Sequence, residues 1–151
     1  MKGKPMKRLI AISLALVSLN ALACPQFSFN NLKCTFEVGG DSFDYAIDRL
    51  SNTASGNGYL LSATFEGSTV EDTIPSTVTD ESGLTTTTSC EGNKIIIKEE
   101  FNGESARQEM SLVGNGLVST GSQLIEVEVC DENDQCTISF EKEDFTNTCR
   151  I

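Results

Sequence analysis

The sequence predicts an all-β fold, a single antiparallel meander of roughly eight to ten strands that closes, fully or partly, into a small disulfide-stapled barrel. Within residues 24–151, apolar and polar residues alternate over short runs, and turns rich in glycine and asparagine separate the runs. Most gaps between the runs are too short for the crossover connection that parallel strands require. A sheet of this length must curl, split or close. We favour the barrel over a β-sandwich, because a sandwich needs some longer connections.

The first two predicted strands form a hairpin. They cover residues 32–38 and 42–50 and meet at the turn GGD. Alternation in the second strand places Phe43, Tyr45 and Ile47 on one face, and Asp44, Ala46 and Asp48 on the other. We therefore expect one face of this hairpin to be covered and the other to be wet.

The middle of the chain supplies the next strands. A predicted loop at 51–58 precedes a strand at 59–66, and the Ser-, Thr- and acid-rich passage after it is interrupted by Pro75. That passage suits an edge strand, because proline lacks the N–H donor that an inner strand uses. Two further strands, 84–90 and 94–101, are joined across the turn EGN.

The last part of the chain continues the meander. We expect its strands at 105–113, 117–120, 123–130 and 136–143. Within the strand before them, the run Ile95–Ile97 fits a segment that is covered on both faces. Lys94 and Lys98 bracket this run, as charged residues that guard an apolar strand against aggregation.

The first 23 residues predict a secretory signal peptide that is cleaved after Ala23. A basic head precedes an apolar run at 9–19 and a small-residue exit, and this run is shorter than the ~20 residues that span a bilayer. The mature chain is therefore expected outside the cytoplasm, secreted or periplasmic. In the alternative, Cys24 is lipidated as in a bacterial lipoprotein. Ala21 stands where such signals usually carry Leu or Val, and lipidation would leave an odd number of thiols.

Residues 24–151 are expected to form a single all-β domain. After cleavage, 7 basic and 22 acidic residues remain, a net charge of 7 − 22 = −15. This charge repels nucleic acid and anionic membranes, and it would attract a basic protein partner. No transmembrane segment is expected after the signal peptide.

All six cysteines lie in the exported part of the chain: Cys24, Cys34, Cys90, Cys130, Cys136 and Cys149. An even number in an oxidising compartment predicts three disulfides, although the sequence alone does not select among the possible pairings. Nearness along the chain suggests Cys130–Cys136 and Cys24–Cys34, which leaves Cys90 for Cys149.

The chain contains no histidine, which excludes histidine-based nucleophilic catalysis and histidine-ligated metal sites. A pair of carboxylates could still perform glycoside hydrolysis, but with 22 acidic residues a close pair is uninformative. We therefore expect a non-catalytic protein without a cofactor, which acts by binding.

The stretch CDENDQC, residues 130–136, offers oxygen ligands of the kind that calcium prefers, on Asp131, Asn133 and Asp134. Its spacing differs from an EF-hand, and it has no glycine for the sharp turn. Asn and Asp also suit the end of a hairpin. We interpret the stretch as a hairpin tip clamped by its own disulfide, with a calcium site as the alternative.

The predicted barrel suggests a small apolar ligand. Its inward-facing candidates are Phe43, Tyr45, Ile47, Tyr59, Leu61, Phe65, Met110 and Leu112. These residues either line a hollow interior or pack a solid core. The expected architecture is lipocalin-like (calycin-like), but the G-x-W signature that usually opens a lipocalin is absent from FNNLKCTFEV, so the similarity is limited to strand count and secretion.

The loop ASGNGYL suggests a second kind of partner, because Ser55, Gly56 and Tyr59 form S-G-x-x-Y. This pattern resembles the first motif of the bacterial periplasmic inhibitors of animal-type lysozyme, which are exported, disulfide-bonded antiparallel barrels. The resemblance implies that the loop lies in or near the enzyme's cleft, and a strongly basic enzyme suits an acidic inhibitor. The second family motif, Y-x-x-x-T-K-G, has no counterpart after Tyr59, and a plain turn also accounts for these residues.

Overall fold

The computed structural model describes residues 24–56 and 58–151, which form one antiparallel sheet of ten strands curled into a nearly closed barrel. The strands are β1 (Phe27–Val38), β2 (Asp41–Ser55), β3 (Gly58–Phe65), β4 (Ser68–Ile74), β5 (Ser76–Thr79), β6 (Thr85–Glu91), β7 (Lys94–Phe101), β8 (Glu104–Val113), β9 (Gly116–Cys130) and β10 (Cys136–Arg150). The all-β class, the antiparallel meander and the barrel are thereby confirmed. The predicted signal peptide at 1–23 lies outside the described residues.

The barrel is not closed between β4 and β5, and this gap is here called the seam. The strand order is β4-β3-β2-β1-β10-β9-β8-β7-β6-β5, so the first and last strands are neighbours and the two edges are β4 and β5. Pro75 connects these two edge strands directly. Every pairing between them around the sheet is antiparallel, so β4 and β5 run in opposite directions, and both extend from Pro75 toward the same end of the barrel. Ile74 is buried at the corner, whereas residues 68–73 of β4 are exposed. The predicted edge strand near Pro75 is confirmed, and the barrel is closed at the corner and open along this seam.

The core lies on the concave side of the sheet. Alternation puts Phe27 and Phe29 of β1 on that side, and it then shifts by one residue so that Leu32 and Cys34 also face inward. The shift coincides with Asn31, whose φ of 56° lies in the left-handed region that asparagine tolerates. The pairing register between β1 and β2 is the same on both sides of it.

The run Ile95–Ile97 begins with two fully buried residues. Ile95 is 0% and Ile96 is 1% exposed, although successive residues of a strand point to opposite faces. This confirms that the start of the run is covered on both sides. Lys94 and Lys98 flank it, and each forms an ion pair on the outer face, Lys94 with Glu109 and Lys98 with Glu91.

All six cysteines form disulfides, but two of the predicted pairings are wrong. The predicted Cys130–Cys136 bridge is present, whereas the other bonds are Cys24–Cys90 and Cys34–Cys149. Nearness in sequence predicted the wrong cysteine pairs because closure of the barrel brings strands together that are distant in the sequence. Cys34 of β1 lies directly opposite Cys149 of β10 in the register, and Cys90 of β6 lies near the corner at Pro75, where it meets Cys24.

Three element boundaries also differ from the sequence prediction. The predicted loop at 51–58 belongs largely to β2, because Ser51 and Asn52 are buried and pair with strands on both sides. The two expected strands at 117–120 and 123–130 are one strand, β9. The strand expected at 136–143 continues as β10 to Arg150, since its second half pairs with β1.

The β9–β10 hairpin projects from the barrel. Pairing of β8 with β9 ends at Gly121, and pairing of β1 with β10 ends at Phe145. Beyond these points residues 122–130 and 136–144 pair only with each other, over roughly 30 Å, and together with the loop that joins them they form residues 122–144, here called the arm. A second small core anchors its base, where Leu124 and Phe140 pack with Ala106.

Candidate functional site

An apolar cavity of about 250 Å³ lies on the concave side of the barrel, between β2–β4 and β8–β10. Strands β2 and β3 supply Ile47, Leu50, Leu61 and Ala63 to one wall, and Met110 and Leu117 belong to the other. These side chains converge because alternate residues of a strand point to the concave side. In β2 the alternation shifts by one residue between Ile47 and Leu50, opposite the shift at Asn31 of β1. The barrel is therefore hollow in this region.

Five of the residues expected in the interior surround this cavity: Tyr45, Ile47, Leu61, Phe65 and Met110. Tyr59 lies instead beside a second hollow, of about 240 Å³, at the corner formed by Pro75, together with Cys24 and Cys90. The alternation pattern thus put these five residues on the same side of the sheet. It did not indicate that Tyr59 lies beside a different hollow.

Phe43 and Leu112 differ from the interior expectation. Phe43 is 55% and Leu112 is 38% exposed. Phe43 is on the concave side, opposite Phe36, but it lies two pairs from the end of its hairpin. Leu112 is similarly one pair from the end of the β8–β9 hairpin. Strand ends lack neighbours to cover them, and alternation does not report this.

The cavity opens beside the seam. Val70 of β4 lines the cavity and is nevertheless 64% exposed, and Phe65 of β3 is also exposed. Both residues flank the β3–β4 turn, where Phe65 pairs with Ser68 and Ala63 pairs with Val70. A small molecule therefore has a route to the apolar interior that needs no opening of a strand pair.

Polar groups in the lining are few, and two of them contact each other. The side-chain N–H of Asn147 donates a hydrogen bond of 2.6 Å to the phenol oxygen of Tyr45. Burial raises the pKa of Tyr45 above its usual value, although the hydrogen bond from Asn147 acts in the opposite direction. Asp72 of β4 also belongs to the lining.

Several lining residues were missed in the sequence. Ala63 lies between Leu61 and Phe65 in the alternation, so the period-two pattern of β3 could have identified it. Asn147 gave no such signal, because it is polar and lies beyond the strand that was expected to end at residue 143. Its place in the cavity depends on the pairing of β10 with β1, which places Asn147 opposite Phe36.

The S-G-x-x-Y stretch is the β2–β3 hairpin. Ser55 pairs with Gly58, and Gly56 has a φ of 53° that favours glycine. A Cβ at Gly58 would meet the carbonyl oxygen of Ile74. Tyr59 is half-buried and packs against the main core. Ser55 and Gly56 are exposed at the tip, so only these two residues of the motif are displayed on the surface.

The acidic loop at the tip of the arm is organised by one aspartate. Oδ1 of Asp131 accepts hydrogen bonds from the backbone N–H groups of Asn133 and Gln135, at 2.8 and 2.9 Å. Asp134 has a φ of 58°. This geometry supports the interpretation as a hairpin tip, with the carboxylate of Asp131 used by the turn itself.

One group of potential metal ligands occurs in the described part of the chain, at the same tip. It consists of Glu128, Cys130 and Cys136. The two sulfur atoms are bonded to each other, and a cysteine binds a metal only as its thiolate. This group therefore offers one carboxylate and no sulfur ligand while the disulfide is intact.

The arm carries a large share of the negative charge. Residues 122–144 contain eight carboxylates and one basic residue, Lys142, a net charge of 1 − 8 = −7. Val129 and Ile138, close to the tip, are 52% and 53% exposed. The arm thus presents apolar side chains within an acidic surround.

No protein-family model, curated protein or solved structure matches this chain. Within residues 24–56 and 58–151, no helix has the length and apolar character needed to cross a bilayer. The cavity and the arm therefore provide the basis for assigning a function.

Proposed function

We propose that the protein is a secreted, non-catalytic binding protein that holds a small apolar ligand in the cavity between β2–β4 and β8–β10. The observation that carries this proposal is a preformed apolar cavity that opens beside the seam, with Phe65 and Val70 exposed at its mouth. Transfer of an apolar molecule from water into such a site is favourable by about 25 cal/mol per Å² of buried apolar surface.

The size and rigidity of the cavity restrict the ligand. Its volume of about 250 Å³ is below the ~300–1,000 Å³ of pockets for drug-sized molecules, so the ligand is small. Cys149 belongs to the lining and is bonded to Cys34 of the neighbouring strand. A wall that is covalently tied in the free protein reduces the entropy lost on binding.

The disulfides support a location outside the cytoplasm. Three disulfides in a chain of this size are typical of oxidising compartments, which agrees with a secreted or periplasmic protein. The Sγ atom of Cys24 is bonded to Cys90 and cannot also carry the thioether of a lipoprotein. We therefore favour a free secreted form over the lipid-anchored alternative.

Titration with the apolar fluorophore N-phenyl-1-naphthylamine tests the cavity. We expect saturable binding to the wild type, and we expect Ala63→Phe, which fills the cavity, to weaken it about tenfold or more. Thr64→Phe is the matched control: it adds the same side chain one position along β3, on the opposite face. Absence of saturable binding, or equal binding by Ala63→Phe and wild type, would contradict the proposal.

A second candidate function is inhibition of a basic hydrolase such as lysozyme. The acidic arm favours this candidate, because its charge would steer a basic enzyme toward the arm, where Val129 is exposed on one face and Ile138 on the other. The S-G-x-x-Y hairpin is the other surface to consider, through the exposed Ser55 and Gly56. Lysozyme activity that is unchanged at a stoichiometric excess of the purified protein would exclude lysozyme as the target.

A further inference from the structure

Tyr45 places a hydrogen-bond donor in the wall of the apolar cavity. It lies on β2 opposite Cys34, and its side chain is half-buried. A phenol has one hydrogen to donate and also accepts hydrogen bonds. In this structure its oxygen accepts from the side-chain N–H of Asn147 at 2.6 Å. That bond uses the acceptor capacity of the hydroxyl and leaves its hydrogen to donate.

The hydroxyl of Tyr45 keeps that hydrogen under ordinary conditions. Burial raises the pKa of Tyr45, so the phenol is neutral well beyond neutral pH. Among the described residues, Asn147 is the one hydrogen-bond partner of this hydroxyl. A ligand oxygen at this position would supply an acceptor for this partly buried donor, and a hydrogen bond formed there contributes favourably to binding.

The charges around the cavity determine which acceptor fits. Among the described residues that line the cavity, one is charged, and it is the acidic residue Asp72. A carboxylate ligand would meet this like charge without a basic side chain to pair with, and an unpaired charge in an apolar site is costly. A neutral oxygen accepts from Tyr45 without that cost.

We infer that the cavity selects uncharged apolar molecules with one oxygen acceptor, such as a carbonyl, which receives the O–H of Tyr45 while the apolar body contacts Ile47, Leu61 and Met110. This inference rests on the proposed binding function and specifies its ligand class. Asn147 is a positioning residue, because its N–H occupies the acceptor side of the phenol and orients the hydroxyl.

Three small aromatic probes of similar size separate the relevant chemistry. Acetophenone carries a neutral carbonyl, ethylbenzene lacks the oxygen, and benzoate carries a negative charge. Each is used to displace N-phenyl-1-naphthylamine from the wild-type protein. We expect acetophenone to bind about threefold to tenfold more tightly than ethylbenzene, the range of one modest hydrogen bond, and benzoate to bind most weakly.

Tyr45→Phe removes the donor and keeps the ring. In this variant we expect the affinity ratio of acetophenone to ethylbenzene to fall to about one. Saturable binding of the fluorophore by the variant shows that it is folded. Tyr59→Phe is the matched control, because it makes the same change at the other tyrosine of the chain, which lies beside the corner hollow. It should leave all three affinities unchanged.

The outcomes distinguish this inference from the proposed function. If ethylbenzene and the fluorophore bind but acetophenone has no advantage, or keeps its advantage in Tyr45→Phe, the ligand class is wrong and the cavity function stands. Tight binding of benzoate would also overturn the ligand class. If none of the probes binds the wild type, the proposed function fails, and the inference fails with it.

Discussion

At the scale of single residues, Asp80 and Asp131 organise two loops of the same design. The loops are 80–84 (DESGL) and 131–135 (DENDQ), and in each the aspartate N–H donates to the carbonyl oxygen of the fifth residue at 3.0 Å. In each, the aspartate carboxylate also accepts from the N–H groups two and four residues later. The acidic residue at the start of the arm tip is therefore explained by turn formation, as it is in the 80–84 loop outside the arm.

Replacing Asp131 tests this explanation against a calcium site. Asp131→Ala removes the acceptor of two backbone N–H groups and is expected to lower the free energy of unfolding by roughly 1–2 kcal/mol. Asp131→Asn keeps an acceptor oxygen and should cost less. Thermal unfolding with and without calcium provides the measurement. A calcium-dependent rise in Tm that is lost in Asp131→Asn would show that the tip is a metal site.

A network of charged residues on the outer face of β6–β8 predicts a pH dependence. Glu109 contacts Lys94 at 2.6 Å and Arg107 at 3.1 Å, and Arg107 also contacts Glu91 at 2.9 Å. Hydrogen bonds from Lys94 and Arg107 hold the pKa of Glu109 below its usual value. Because the folded pKa is lowered, the stabilisation is complete above the ordinary glutamate pKa of about 4.3 and is lost as the pH falls below it.

The comparison of wild type with Glu109→Gln measures this effect. We expect the wild type to have the larger free energy of unfolding at pH 7, and the difference to shrink as the pH is lowered from 5 toward 3. Glu104→Gln, on the same strand but outside these ion pairs, serves as the control. A difference between wild type and Glu109→Gln that stays constant over this range would contradict the assigned role.

At the scale of elements, Gly121 is the point where β9 leaves the barrel. Its φ is 137°, and a Cβ there would meet the carbonyl oxygen of Arg107. One residue later, Oγ of Ser122 accepts a hydrogen bond of 3.3 Å from the N–H of Arg107, and Glu99 accepts one of 2.7 Å from Leu124. These side chains replace the ladder partners that β9 loses when the arm begins.

A substitution at Gly121 is therefore expected to disturb the base of the arm. Gly121→Ala should lower the free energy of unfolding by more than about 2 kcal/mol, because it adds a backbone clash to an unfavourable φ. Gly103→Ala is the control, since Gly103 has a φ of 85° with open space around it and should cost only about 1–2 kcal/mol. Chemical denaturation compares the two variants. An equal loss would mean that the contact with Arg107 is unimportant.

The elements also show what alternation can and cannot predict. Period-two patterning identified the strands and put Tyr45, Ile47, Leu61, Phe65 and Met110 on one side of the sheet, and the structure places all five around one cavity. It did not reveal that two expected strands join through Gly121 as β9, because a glycine and a serine interrupt the pattern there. It also gave no indication of the arm, since a strand pair looks the same in sequence whether or not other strands flank it.

At the scale of the whole molecule, closure of the barrel decides which cysteines meet. The adjacency of β1 and β10 brings Cys34 and Cys149 together across a sequence separation of 115, and the corner at Pro75 does the same for Cys24 and Cys90 across 66. Such contacts depend on strand order, which local sequence patterns do not encode. The hairpin bridge Cys130–Cys136 was predictable because its contact is local.

The bridges are expected to differ in their contribution to stability. The chain-entropy relation gives about 4.9 kcal/mol for Cys34–Cys149 and about 2.4 kcal/mol for Cys130–Cys136, because the first closes the longer loop. We expect Cys34→Ala with Cys149→Ala to lower the denaturation midpoint far more than Cys130→Ala with Cys136→Ala. Equal midpoints for the two double variants would contradict a fold tied together by its first and last strands.

Native mass spectrometry of protein isolated from its own host tests most directly the proposal that the barrel holds a small apolar molecule. We expect the wild type to carry an additional mass of a small molecule that is released on denaturation, and Ala63→Phe, expressed in the same host, to lack it. Thr64→Phe should retain the mass. A wild-type protein that is observed only as the bare polypeptide, under conditions that preserve weak complexes, would contradict the claim.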